Sequence, residues 1–315
     1  MEALRIVFMG TPDFAVGILN MLIKKNHTIV GVITAPDRPA GRGRKLNESA
    51  VKKFAIENEL KVLQPTNLKD EKFLETLKSL NANLQIVVAF RMLPKVVWSM
   101  PQYGTFNLHA SLLPQYRGAA PINWALINGE TKTGVTTFFI DEKIDTGAII
   151  LQDEAIIEKT DNVEDLHDRL MHLGAETVNR TVERIQNENF ETTKQANEVT
   201  LKAAHKIDRE TCEIDWNKPL NEIYNFIRGL SPYPAAWTTL FNADQKIVTK
   251  IYKASLLPEQ HKLPNGLLVF TKKDLKIAVQ GGYLNLEEIQ LQGKKRMLVK
   301  DVLNGLNLDK NAKMG

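Results

Sequence analysis

Short apolar runs alternate with stretches whose apolar positions recur every three or four residues along the first half of the chain. Leu4 to Met9 reads as a buried strand that stops at Gly10, where Thr11 can cap a helix that begins at Pro12 and runs to about Leu22. A strand over 28–34, helical patterns near 49–58 and 69–80, and an apolar run over 84–89 continue the alternation. Strands separated by helices of this length predict a mostly parallel sheet with helices on both faces. Further strands are predicted at 105–109, 134–140 and 148–157. A long helix then carries Val163, Leu166, Leu170, Leu173, Val178, Val182 and Ile185 on one side, with Asp161 and Glu164 placed as a capping pair.

From 187 to 206 the chain turns polar and loses its period, which predicts a linker. Beyond it a short helix over 220–228 precedes five β-type runs, at 237–241, 247–254, 266–270, 275–278 and 283–290. Gly, Pro and Asn break these runs apart, the pattern of a small barrel. The expected division is an α/β domain over 1–188, a linker over 189–206 and a β domain over 207–315.

A chain of 315 residues is long enough for two cores. Its 43% hydrophobic and 25% charged residues are those of a globular protein, with no apolar run long enough to span a bilayer. The opening residues enter a strand without a charged segment and apolar stretch ahead of it, which predicts a cytoplasmic protein. Cys212 is the single cysteine, so neither an internal disulfide nor a cysteine-based zinc site is expected. Charge is uneven: residues 206–315 hold 17 Lys and Arg against 12 Asp and Glu, leaving 24 against 25 before them. The excess suits a polyanion, although a solvated lysine-rich face has the same signature.

Gly10-Thr-Pro-Asp-Phe follows the first strand, where a dinucleotide loop would lie, but it lacks the second and third glycines of that motif. No nucleotide-hydrolysis loop is present. His167 and His172, five apart, do not share a helical face, and no metal site is predicted.

The chemistry concentrates in Phe106-Asn-Leu-His-Ala-Ser-Leu-Leu-Pro-Gln-Tyr-Arg-Gly-Ala-Ala-Pro121. On a strand, Asn107 and His109 share one face while Phe106 and Leu108 turn to the other. A carboxamide can donate to a developing oxyanion and an imidazole can move a proton, so the pair suits addition to a carbonyl. An acid is needed beside the imidazole. Asp145, in a turn between two apolar runs, is the leading candidate, with Asp141 and Glu142 as rivals.

The stretch from Phe106 to Leu126, followed by Ile144-Asp-Thr-Gly, resembles the folate-dependent formyltransferases, whose Asn, His and Asp fall on Asn107, His109 and Asp145. "GTPDFA", "APDRPAGRGRKL", "KIDRETCEIDW", "IRGLSPYPAAWT" and "GKKRM" extend the resemblance nearly end to end, toward the branch whose acceptor is a methionyl-tRNA. The resemblance implies a Rossmann-like catalytic domain followed by an OB-like barrel that binds tRNA. It implies transfer of a formyl group from 10-formyltetrahydrofolate to the α-amino group of methionine on initiator tRNA, with no metal, nucleotide, membrane or obligate protein partner. Ser111, Leu112, Leu113 and Pro114 would line the folate pocket together with Phe90, Arg91 and Asp141. Arg38, Arg42, Arg44 and Lys45 would meet the tRNA acceptor end, and Lys294, Lys295 and Arg296 would extend its path. Two places depart from the family: Phe90-Arg91 replaces a Tyr-Gly pair, and Lys143 replaces the glycine two residues before Asp145. Two rival readings remain, a formyltransferase for an amino sugar or other small amine, and an RNA-binding module on a catalytically dead fold. An intact Asn-His-Asp set argues against the second.

Overall fold

Arg5–Gly10 forms β1, and Ile6 to Met9 are all 0% exposed, a strand buried on both faces as its apolar run predicts. In the computed structural model, which describes residues 3–40, 45–188, 190–196 and 200–315, α1 (Asp13–Lys24) follows. Pro12, not Thr11, holds the cap position: its backbone is extended and its carbonyl accepts the Ala15 N–H at 3.0 Å. Next come β2 (Thr28–Ile33), a hairpin of β3 (Arg38–Ala40) and β4 (Lys45–Asn47), α2 (Ala50–Glu57), β5 (Val62–Leu63), α3 (Glu71–Ser79), β6 (Leu84–Val88) and α4 (Lys95–Trp98). They are followed by β7 (Thr105–His109), β8 (Arg117–Gly118), α5 (Pro121–Ile127), β9 (Lys132–Phe139), β10 (Ile149–Ile156) and α6 (Val163–Gln186). Ser49 and Asp70 cap α2 and α3 by accepting the N–H of the residue three further on. The capping box of α6 lies one residue past the predicted pair. Asn162 accepts from Glu164 and Asp165 while the Asp165 carboxylate accepts the Asn162 N–H, and Asp161 instead takes the Glu158 N–H.

Two compact units result, and they do not follow chain order. The first comprises Met1–Pro121, Lys132–Ile156 and His167–Ala203; the second comprises Ile122–Thr131, Ile157–Leu166 and Ala204–Gly315. The sheet of the first unit runs β10-β9-β7-β6-β1-β2-β5. Strands β5, β2, β1, β6 and β7 are parallel, and β9 and β10 are antiparallel additions beside β7. The order reverses at β1, with β2 on one side and β6 on the other, and open sheets of this kind place their ligands at the carboxyl ends of the parallel strands beside such a reversal. One core layer is built from Val7, Met9, Ile33, Leu77, Val87 and Val97. On the other face Gly174 of α6 lets the helix settle on Leu108: a Cβ there would lie 2.8 Å from the leucine's Cδ2. With Phe106 and Leu108 committed inward, Asn107 and His109 are the residues β7 has left to present on its other face.

Past the short β11 (Ala203–Ala204), the second unit contains α7 (Leu220–Arg228), β12 (Ala236–Asn242), β13 (Gln245–Leu257), β14 (Leu268–Phe270), β15 (Leu275–Val279), β16 (Gly282–Leu291), β17 (Met297–Leu298), α8 (Val299–Leu303) and β18 (Lys313–Met314). Its antiparallel sheet runs β14-β15-β16-β13-β12-β18, and its two ends meet. The Leu268 N–H bonds the Ala312 carbonyl at 3.0 Å and the Met314 N–H bonds the Gly266 carbonyl at 2.8 Å, nearly closing a barrel. Trp216, Ile251, Ile277, Leu284 and Ile289 fill it. Cys212 is buried with its thiol on the Asp208 carbonyl, and burial pushes that thiol up from its ordinary pKa.

Candidate active site

β7 ends at His109, on the carboxyl-end side of the sheet. It is paired at Asn107 with Val87 of β6 and Phe138 of β9, and at His109 with Thr136 of β9. The central position of the strand fixes where both side chains start. His109 is 6% exposed, and its Nε2 lies 2.8 Å from the Tyr116 carbonyl oxygen. A carbonyl can only accept, so Nε2 carries the proton and Nδ1 has its lone pair free. Nδ1 faces Asp145 Oδ2 at 3.9 Å. A proton arriving on Nδ1 therefore meets a carboxylate, which stabilises the charge it brings. The Asn107 carboxamide is half-buried and bonds no protein group among the described residues, so its N–H remains available to a substrate.

Asp145 is the acid the geometry selects from the three candidates. Glu142 is exposed and pairs with Lys95 at 2.8 Å, an interaction that holds its carboxyl below the ordinary range. Asp141 accepts from the Lys143 N–H at 2.9 Å and the Thr146 hydroxyl at 2.8 Å, shaping the loop that carries Asp145. Asp145 itself has a φ of +55° and takes the Gly118 N–H on Oδ2 at 3.0 Å. Gly147 completes the turn by close approach: a Cβ there would lie 1.6 Å from the Phe139 carbonyl oxygen, so no other residue fits.

The Ser111 to Pro114 segment is built into the sheet edge. Ser111 is fully buried, donates to the Gln115 carbonyl at 2.7 Å, and offers its own carbonyl to the Thr136 hydroxyl at 2.6 Å. Thr136 also accepts the Leu113 N–H, and Gln152 holds the Leu113 carbonyl. Leu112 and Pro114 are half-buried, Leu113 is buried, and the Leu113–Pro114 bond is cis. At the Phe90-Arg91 departure the positive φ falls on Ala89, at +46°. Phe90 packs partly on the core layer, and the Arg91 guanidinium donates to the Pro65 and Thr66 carbonyls, tying the loop after β6 to the one after β5. Burial and the neighbouring Arg38 both lower the Arg91 pKa.

Arg38 is exposed on the hairpin that leaves the carboxyl end of β2, at the same sheet edge as His109. Arg42 and Arg44 lie outside the described residues, and Lys45 is described in its backbone, which pairs with Ala40. The base of the hairpin is anchored by Asp37, which pairs with Lys52 and accepts from Gln64 at 2.8 Å. In the second unit Lys294 and Lys295 are exposed on the turn after β16. Arg296 is engaged there, bonding Glu288 at 2.6 Å and stacking 4.4 Å from the Tyr252 ring centre.

Sequence reasoning missed Gln195, in the segment read as a linker. Thr193 exchanges backbone hydrogen bonds with Ile149 at 2.8 Å in both directions, laying the segment against β10. Gln195 is thereby buried at 7% exposure and donates to the carbonyls of Asp145 and Gly147. Polar composition hid this, because the contact is one of hydrogen bonding and leaves no apolar period.

The family model described as formyl transferase matches residues 4–182, and that for the formyl transferase C-terminal domain matches residues 206–307. A methionyl-tRNA formyltransferase of Flavobacterium johnsoniae is 61% identical over 314 residues, covering 100% of both chains. That of Bacteroides fragilis is 53% identical, covering 99% of this chain and 98% of its own. Among solved structures, WlaRD, a sugar 3N-formyl transferase crystallised with dTDP and 5-N-formyl-THF, has a TM-score of 0.65 at 21% identity over 94% of this chain and 100% of its own. HypX of Aquifex aeolicus in complex with tetrahydrofolic acid has a TM-score of 0.66 at 16% identity, over 98% of this chain and 49% of its own. At these identities the structural likeness is one of fold.

Proposed function

The chain belongs to the formyl transferase family, carrying both of its domains, and from this we propose that it transfers the formyl group of 10-formyltetrahydrofolate to the α-amino group of initiator methionyl-tRNA. The observation that carries the reading is the 61% identity, along the full length of both chains, with a protein named for that reaction. The sugar formyltransferase WlaRD is 21% identical, a likeness of fold.

The residues fit the reaction. A carboxamide without a protein partner among the described residues can donate to a carbonyl oxygen under attack, and the imidazole beside it has an Nδ1 that can take a proton from the attacking amine. Bound 10-formyltetrahydrofolate supplies an activated formyl carbon, whose bond to N10 breaks as the new amide forms. Asn107 donates its N–H to the formyl oxygen as negative charge gathers there, and donors already in place stabilise that charge by roughly 3 kcal/mol each. His109 Nδ1 takes the proton the attacking amine must lose and returns it to N10, while Asp145 stabilises the imidazolium in between. An α-amino group titrates near pH ~8, so a fraction of the nucleophile is neutral without a strong base.

Around this centre Ser111 to Pro114, Phe90, Arg91 and Asp141 are assigned to folate. Arg38, Arg42, Arg44 and Lys45 are assigned to the tRNA acceptor end, and Lys294, Lys295 and Arg296 to its continuation. The domain assignment is a catalytic domain over 1–188 and a tRNA-binding domain over 207–315 joined by 189–206, in a cytoplasmic enzyme. Incubating the protein with 10-formyltetrahydrofolate and, in separate reactions, initiator methionyl-tRNA, elongator methionyl-tRNA and amino-sugar nucleotides tests the reading by mass spectrometry. A formyl mass gain on methionine from the initiator species is expected. Formylated sugar with unmodified methionine would overturn it.

A further inference from the structure

Both protein groups that face the His109 ring come from residues held in the left-handed backbone region. Tyr116, whose carbonyl accepts from Nε2, has a φ of +60°, and Asp145, whose carboxylate faces Nδ1, has a φ of +55°. For residues other than glycine that conformation costs on the order of 1 kcal/mol and persists where neighbours over-determine it. Here one side chain bridges the two segments that carry them. Gln195 Nε2 donates to the Asp145 carbonyl at 3.0 Å and the Gly147 carbonyl at 2.8 Å, clasping the loop on either side of the strained residue. Its Oε1 accepts from Arg117 Nε at 3.1 Å and Nη2 at 2.5 Å. Arg117 lies between Tyr116 and Gly118, and Gly118 donates its N–H to Asp145 Oδ2 at 3.0 Å. The Thr193–Ile149 backbone pairing sets where Gln195 stands.

The geometry points to Gln195 and Arg117 as positioning residues that hold Asp145 and Tyr116 at their present distances from His109. The inference rests on the reading of His109 and Asp145 as the proton-handling pair. The requirement is for an amide: a side chain that donates twice in one direction and accepts twice in the other. A glutamate would keep Arg117 but turn lone pairs on two carbonyl oxygens. An alanine would leave those carbonyls and a guanidinium without partners. The Gln195 amide is engaged on both sides by protein groups, so it acts through Asp145 and His109, where a shift of about 1 Å lowers rate far more than binding.

The test is a mutant cycle on turnover, using the full-length chain with 10-formyltetrahydrofolate and methionyl-tRNA. Gln195→Ala and Gln195→Glu are each expected to lower kcat by about 10- to 100-fold, with both Michaelis constants within about threefold of wild type. Gln195→Glu should retain the Arg117 pairing, and a thermal melt of each variant separates a loss of turnover from a loss of fold. In an Asp145→Ala background Gln195→Glu, which keeps the Arg117 pairing, should lower kcat by less than about twofold further, because the residue it positions on that side is gone, whereas Gln195→Ala, which also frees Arg117 beside Tyr116, should keep part of its loss. If Gln195→Ala does not fold, Gln195→Glu in the two backgrounds gives the same cycle. An impaired Asp145→Ala beside fully active Gln195 variants would overturn the inference alone, as would an equal loss from Gln195→Glu with and without Asp145. Wild-type kcat in Asp145→Ala would instead overturn the reading of the site beneath it.

Discussion

The groups around His109 are held from several directions, whereas the two basic segments are held at their bases and present charge beyond them. Asp145 is fixed through its carboxylate by Gly118 and through its carbonyl by Gln195, and Tyr116 bonds the Lys202 carbonyl through its N–H at 2.7 Å. In the hairpin after β2, Asp37 is tied to Lys52 and Gln64, but Arg38, one residue on, is exposed without an acidic partner among the described residues. On the barrel turn Lys294 and Lys295 are likewise exposed. The contrast matches the roles proposed for the two regions. Stabilising a charge that exists only in the transition state requires donors set before the reaction begins. Attracting a polyanion requires charge density, and a counterion cloud is displaced as well by mobile cations as by fixed ones.

The sharpest way to break the comparison is to remove a donor from the ordered region. Asn107→Ala and His109→Ala should each lower kcat by on the order of 10²-fold or more, with little change in either Michaelis constant, in steady-state formylation assays. Ordinary turnover in either variant would mean that the order around β7 serves stability alone.

The ordered region was also the part most legible in the sequence, and for a physical reason. An apolar run with two polar residues on one face has a single register on a central strand, so Thr105–His109 was read residue for residue and the shared face of Asn107 and His109 followed. The resemblance placed the acid on Asp145, whereas the residue pattern left Asp141 and Glu142 as rivals; in the fold Asp145 Oδ2 stands 3.9 Å from His109 Nδ1, while Glu142 pairs with Lys95 and Asp141 bonds Lys143 and Thr146. Gln195 was illegible, since a side chain buried for its hydrogen bonds has no periodic signature. So was the hairpin at 38–47, whose strands, Arg-Pro-Ala and Lys-Leu-Asn, are three residues long and have no alternating apolar pattern.

An intermediate effect is expected in the first basic segment. Arg38→Ala combined with Arg42→Leu should raise the Michaelis constant for methionyl-tRNA about tenfold and leave that for 10-formyltetrahydrofolate unchanged. If the two constants rise together, the hairpin shapes the folate site and the division of roles between the two regions is misplaced. A smaller effect belongs to the barrel turn. Replacing Lys294 and Lys295 with alanine should flatten the slope of log affinity against log salt by about 0.9 for each phosphate that the two lysines neutralise. An unchanged slope would leave that turn as a solvated surface.

The smallest effect sharpens the comparison within one tripeptide. Lys294, Lys295 and Arg296 are adjacent and equally charged, yet Arg296 is bonded to Glu288 and stacked on Tyr252 while its neighbours reach into solvent. Arg296 therefore resembles the ordered region in miniature, since its guanidinium is spent on the barrel. Lysine at that position keeps the charge but loses the planar group that stacks on the ring. A partly exposed cation–π contact is worth about 0.5–1 kcal/mol, and an exposed ion pair less. Arg296→Lys should accordingly lower unfolding stability by about that amount in a denaturant titration while leaving the salt slope for tRNA as it was. Lys295→Ala should do the reverse, changing the slope with stability held. Were Arg296→Lys to weaken tRNA binding at unchanged stability, Glu288 and Tyr252 would be holding the guanidinium out for a phosphate, and the barrel would have an ordered contact of its own.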